Sequence, residues 1–247
     1  MRYGCLLICI ILLSACSTTK TGLTDKQQKR EAAEQYANLG AAYLRNGNIR
    51  FALQRLQRAL ELDPNHANAH HFLAQAYVGI DRHDEAQTHF AKALELADND
   101  TFLNNNYGAY LCGRGRFDLG EQLLLKATKD LSYEAPESVF ENLGLCLQGK
   151  GDDAKAEQYF RQALKLEPRS AKTYYQLAAL KFRQGQYFAA RAFIQNYEKL
   201  ARHGSESLRL AIKVEEALGD RNAVNRYRQE LEELLAKHPR SQSVETP

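Results

Sequence analysis

Tryptophan is absent from this 247-residue chain, methionine occurs once and proline five times. So little proline leaves few places where a helix is forced to break. Charge of one sign is not in excess either, with 33 Lys and Arg against 30 Asp and Glu. The two signs are interleaved, which makes a solvated surface and excludes a nucleic-acid-binding patch. A membrane-spanning helix needs about 20 apolar residues; the apolar run at residues 5–13 has nine. A glycine-rich phosphate loop, a nucleophile elbow and a metalloprotease motif are all missing. Gly113 and Gly115 form a Gly-x-Gly, but it is a turn between helices. No enzymatic activity and no small-molecule substrate are expected. What the chain does have is Ala, Leu, Gln and Glu in quantity, a helical composition.

The first residues read as an export signal: Met1-Arg2 gives a positive start, residues 5–13 an apolar core, and Leu13-Ser14-Ala15-Cys16 a small-residue cleavage site. The tetrad resembles the bacterial lipobox. That resemblance implies removal of residues 1–15 and lipid, palmitate among its chains, on the sulfur and new amino group of Cys16. This covalent lipid is the only cofactor expected. By the same analogy, Ser17 implies sorting to the outer membrane, with the protein hung on its periplasmic face. The alternative is an ordinary signal peptide with an incidental cysteine. Residues 16–32 read as the lipidated N-terminus and a flexible tether, because residues 17–30 are polar and lack an apolar stripe. Extended, those fourteen could reach roughly 45 Å.

Internal repetition dominates the rest. Copies start near Ala33, Ala67, Thr101, Glu137, Ala171 and Ser205, spaced by 34 residues except for one interval of 36. Gly40, Ala74, Gly108, Gly144 and Ala178 share one position, and Ala52, Ala86, Gly120, Ala156 and Ala190 its partner. Small residues let two helix backbones approach closely. Glycines at 47, 113, 115, 149, 151 and 185 mark turns between helices, and Asp63-Pro64 and Glu167-Pro168 stop second helices. The pattern resembles the tetratricopeptide repeat, which implies an all-α fold: a right-handed superhelical α-solenoid of six helix-turn-helix repeats over residues 33–238. Residues 239–247 read as a disordered tail.

In such an array the first helix of each repeat lines the concave side. Repeat spacing places Leu44, Val78, Phe102, Ala109 and Leu145 there, together with Tyr175 and Phe182. His71, Gln75 and Asn105 stand among them. Aromatic anchors with amide neighbours suit an extended or helical peptide, so a protein-binding groove is expected. Each of these residues could instead be ordinary packing between helices. Five of the seven histidines cluster near the second repeat, at 66, 70, 71, 83 and 89. His66 and His70 have a metal-compatible spacing. However, His66 falls at a helix start and His70 at a packing position, and no cysteine or carboxylate completes a ligand set; no metal site is expected. Cys112 and Cys146 sit on first helices of adjacent repeats, at repeat positions twelve and ten. A two-residue offset turns a helical side chain by about 200°, which suits facing flanks of neighbouring helices and predicts a disulfide. Two separate buried thiols are the alternative.

One stretch is more particular. Asn104-Asn105-Asn106-Tyr107-Gly108-Ala109-Tyr110-Leu111-Cys112 opens the third repeat, and Ser138-Val139-Phe140-Glu141-Asn142-Leu143-Gly144-Leu145-Cys146 opens the fourth. With the lipobox and the six repeats, it resembles the type IV pilus biogenesis and stability lipoproteins, the PilF/PilW pilotins. The resemblance implies a lipid-anchored protein that binds subunits of the pilus secretin and promotes their outer-membrane localisation and multimerisation. A repeat lipoprotein that docks peptidoglycan synthases or hydrolases would share the signal and the groove.

Overall fold

A computed structural model describes residues 24–130 and 134–237. Twelve helices and no strand occur among the described residues, in six antiparallel pairs. The pairs are α1 (Asp25–Arg45) with α2 (Ile49–Leu62), α3 (Ala67–Val78) with α4 (His83–Leu96), and α5 (Thr101–Gly113) with α6 (Phe117–Ala127). Then come α7 (Pro136–Lys150) with α8 (Asp153–Leu166), α9 (Ala171–Arg183) with α10 (Tyr187–Glu198), and α11 (Ser205–Leu218) with α12 (Arg221–Lys237). None of them is long and apolar enough to cross a membrane.

The turn inside each pair has one backbone requirement. Gly47, Gly115, Gly151, Gly185 and Gly219 stand at equivalent positions, and all have φ between 72° and 92°. In the second repeat Asp81 holds that left-handed position at φ 58°. Each such residue ends a first helix and lets the second fold back.

Within a pair the crossing point is closed by small residues. Ala52, Ala86, Ala156 and Ala190 are fully buried, as are Ala74 and Ala178. Larger side chains, Leu56, Phe90, Leu124 and Phe160, fill the space beside them. Position seven of the repeat packs onto the preceding pair: Leu73, Leu143 and Leu177 are at most 2% exposed. Leu39 holds the same position in α1, where no described helix precedes it, and is 42% exposed. Between repeats, α1 packs on α3, α5 on α7 and α9 on α11, and each second helix packs on the next first helix. First helices therefore approach one another along one side of the row. That geometry makes the right-handed α-solenoid, with its first helices on the inner wall.

One boundary needs correction. Residues 25–32 are not tether but the first turns of α1. Thr24 and Gln27 form a capping box, with Thr24 N donating to Gln27 Oε1 at 2.8 Å and Gln27 N to Thr24 Oγ1 at 3.3 Å. Lys29 pairs with Asp25 at 2.8 Å one turn on. A capped helix end exposed to water needs no apolar stripe, so the polar composition of these residues conceals their helix. Cys16 and the remaining tether, residues 16–23, lie outside the described residues, as do residues 1–15, 238 and the tail at 239–247.

Candidate docking groove

Positions two, five, nine and twelve of each repeat are spaced three, four and three apart, so they share one face of the first helix. In the second repeat they are Asn68, His71, Gln75 and Val78; in the third, Phe102, Asn105, Ala109 and Cys112. In the fourth they are Ser138, Glu141, Leu145 and Gln148; in the fifth, Lys172, Tyr175, Ala179 and Phe182. Each predicted groove residue lies on this face.

They do not all reach the surface. Leu44, Gln75, Val78, Phe102, Ala109, Leu145, Tyr175 and Phe182 are half-buried and remain open on one side. His71 and Asn105 are 1% and 3% exposed, so neither can offer itself to a partner. Both hold position five, which points into the crevice between successive first helices. His71 Nε2 accepts from Gln75 Nε2 at 3.0 Å and from Asn106 Nδ2 of the next repeat at 3.2 Å. Asn105 donates to Ser138 Oγ at 3.2 Å and accepts from Asn142 Nδ2 at 2.9 Å, again in the next repeat.

Glu141 completes the series. Its carboxylate accepts from Ser170 at 2.8 Å and from Thr173, and pairs with Lys172 at 2.8 Å. Burial pushes this carboxyl up, but the hydrogen bonds from Lys172, Thr173 and Ser170 outweigh burial and hold it below its ordinary value. His71, Asn105 and Glu141 thus form a polar ladder under the inner wall, each rung tying one repeat to the next. Sequence reasoning missed Glu141, Ser170 and Thr173. The available signal was a hydrogen-bonding residue recurring at position five, where the first repeat has Ala37.

Above the ladder the open surface is mixed. Phe102 contacts the His71 ring edge-on at 4.8 Å between centroids and lies 6.1 Å from Phe72. At the other end, Tyr175 lines a cavity of about 360 Å³ with Lys172, Tyr197 and residues 204–207. Burial, then Glu206, pushes the Tyr175 phenol up. Such a wall offers ring faces and amide groups to a peptide rather than a convergent catalytic set.

Cys112 and Cys146 are joined by a disulfide between α5 and α7, with Cα atoms 5.1 Å apart. It crosses the junction that carries the two-residue insertion. Among the described residues no group of three or more His, Cys, Asp and Glu is placed to hold a metal.

Residues 31–99, 138–170 and 159–192 match the tetratricopeptide repeat. Over 236 residues the chain is 29% identical to the type IV pilus assembly protein PilF of Pseudomonas aeruginosa, spanning 95% of this chain and 94% of that one. The solved structure of P. aeruginosa PilF superimposes with a TM-score of 0.75 at 30% identity, covering 86% of this chain and 94% of its own. That of PilW, a widely conserved type IV pilus biogenesis factor, gives 0.78 at 29% identity, covering 85% and 95%. The chain belongs to the PilF/PilW family of type IV pilus tetratricopeptide-repeat proteins.

In this PilF/PilW-family chain the two stretches that open the third and fourth repeats coincide with the middle of the ladder. They supply Asn105, Asn106, Ser138, Glu141 and Asn142, and both cysteines. Their composition therefore has a structural meaning: it ties the second to fifth repeats together beneath the inner wall.

Proposed function

We propose that the protein is a type IV pilus biogenesis factor acting as a lipid-anchored pilotin. Its inner wall binds subunits of the pilus secretin, and lipid on Cys16 carries them to the outer membrane, where they multimerise. The observation that carries this reading is the inner wall itself: half-buried Phe102, Leu145, Tyr175 and Phe182 stand over a ladder that fixes their spacing. Anchors on a rigid support bind with little ordering cost. The relatives named as pilus assembly and biogenesis factors supply the system. Lipid supplies the address, and confinement to a thin layer raises the effective concentration of partners.

The test is genetic and biochemical together. Deleting the gene should abolish the heat-resistant secretin multimer on a semi-denaturing gel. Cys16→Ser should leave the protein folded but released from the outer membrane, with secretin poorly assembled. Normal multimers in the deletion strain would reject the pilotin reading.

A further inference from the structure

In the fourth and fifth repeats, position four of the first helix meets a ring on the second helix. Phe140 and Tyr159 lie 6.3 Å apart between centroids, and Tyr174 and Phe193 lie 6.4 Å apart. The same two positions in the second repeat hold His70 and His89, 5.1 Å apart. There an inter-helix aromatic pair has become a pair of titratable rings.

The hydrogen bonds fix where its protons are. His70 Nε2 lies 3.0 Å from the Pro64 carbonyl oxygen, which can only accept, so His70 carries its proton on Nε2. His70 Nδ1 is then an acceptor, and His89 Nδ1, 2.8 Å away, must donate to it. The Tyr77 ring stacks on the other side of His89 at 5.5 Å. One added proton fits on His89 Nε2. A second has to go to His70 Nδ1 and sets two N–H groups against each other. Beside this pair, His71 is packed among Phe72, Phe90 and Phe102, and its Nε2 accepts from two amides. A proton there meets two N–H donors.

The surrounding charges are mixed. Lys92 and Glu95 of α4 bear on His70, Glu85 of α4 on His89, and Asp100 before α5 on His71. His66, which also opposes a charge on His70, is itself taken by Glu34 of α1 at 2.9 Å. Of the charged residues on α2 only Arg55 is not exposed, and α5 has none. Burial is the largest influence on all three rings and pushes each down, His71 to about 4.

We propose that the second repeat is a proton-sensitive joint: acid loads the inter-helix histidines 70, 71 and 89, loosens α3 from α4 and α5, and breaks the inner wall at Gln75, Val78 and Phe102. Because these rings are neutral in the fold, their contribution is complete above the unfolded value of about 6.5 and is lost as pH falls below it. The consequence for docking rests on the pilotin reading. The loosening of the repeat does not.

Native-state hydrogen exchange at about pH 7.5 and about pH 5, corrected for intrinsic rates, tests this. Protection of α3 and α4 should fall about tenfold more than that of α7 to α10. In the variant H70Y/H71N/H89F, which takes its residues from sister repeats, that difference should vanish. Uniform loss across the repeats overturns the proposal, as does an unchanged difference in the variant. Should the variant misfold, NMR titration of the wild-type rings decides: titration of all three below about 6.5 supports the joint, and titration at or above it overturns it. Binding to the isolated periplasmic domains of the secretin, measured at both pH values, should weaken in acid for the wild type only. No binding at either value counts against the pilotin reading, while exchange judges the joint alone.

Discussion

Gly144 of α7 lies against the ring of Phe160 of α8: a Cβ on the glycine would stand 2.5 Å from Phe160 Cε1. Phe160 is fully buried, so an added methyl must shift packed neighbours. Gly144→Ala should therefore lower stability by about 1–3 kcal/mol, the range for overpacking a core. Gly113, the last residue of α5, has nothing within 4 Å of its would-be Cβ. Gly113→Ala should be neutral or stabilising by about 0.5–1 kcal/mol. Paired urea denaturation curves measure both.

The repeat was legible because it is written twice, in spacing and in residue size. Gly40, Ala74, Gly108, Gly144 and Ala178 mark the crossings, and each is buried. The start of α1 was not legible, since an exposed extension carries no apolar period, and only the Thr24–Gln27 pair signals it. The face of the groove could be read from repeat position, but its depth could not. Whether position five looks outward or into the crevice depends on how closely first helices pack. Tyr175 and His71 hold the same position, and only His71 is fully covered.

Asp81 is the one non-glycine residue with positive φ among those described, at the turn where five other repeats have glycine. Aspartate tolerates this region at some cost, and glycine removes it. Asp81→Gly should raise stability by about 0.5–1 kcal/mol. A higher Tm at unchanged helical circular dichroism is the expected result.

The Cys112–Cys146 disulfide closes 34 residues of chain. On a chain-entropy basis a loop of that size contributes about 4 kcal/mol. Cys112→Ala/Cys146→Ala should lower stability by roughly 2–4 kcal/mol, and dithiothreitol should then have no further effect. Wild-type protein in reductant should show the same shift, read from denaturation midpoints. Identical midpoints with and without reductant would show the staple to be inert.

Glu141 makes a prediction in both sequence and pH. Its carboxylate is 5% exposed and receives Ser170, Thr173 and Lys172. Glu141→Ala removes the buried acceptor shared by Ser170, Thr173 and Lys172, leaving Thr173 Oγ1 only Ser170 Oγ at 2.8 Å, and should cost about 1–3 kcal/mol. Because the fold holds this carboxyl below its ordinary value, its contribution is full above the unfolded value of about 4.3 and fades as pH falls below it. Glu141→Gln should lessen the wild-type loss of Tm below about pH 4, the remainder coming from Glu157 and the other paired carboxylates, while leaving the loss nearer pH 6 in place.

Tyr175 separates docking from folding. The ring is half-buried, 6.4 Å from Tyr197, and its open side faces the cavity shared with Lys172 and residues 204–207. The ladder beneath ends at Glu141, so removing the Tyr175 ring leaves those rungs intact. On the pilotin reading proposed above, Tyr175→Ala should weaken binding of the isolated secretin periplasmic domains about tenfold or more, as for an aromatic anchor at an interface, with a Tm shift of only a few degrees. Tyr175→Phe keeps the ring and loses the hydroxyl donor. If it binds as the wild type does, the anchor works through its apolar face; if it falls with Tyr175→Ala, the hydroxyl reads a partner acceptor. Unchanged binding in both, measured by titration calorimetry at neutral pH, would move the docking surface away from the fifth repeat.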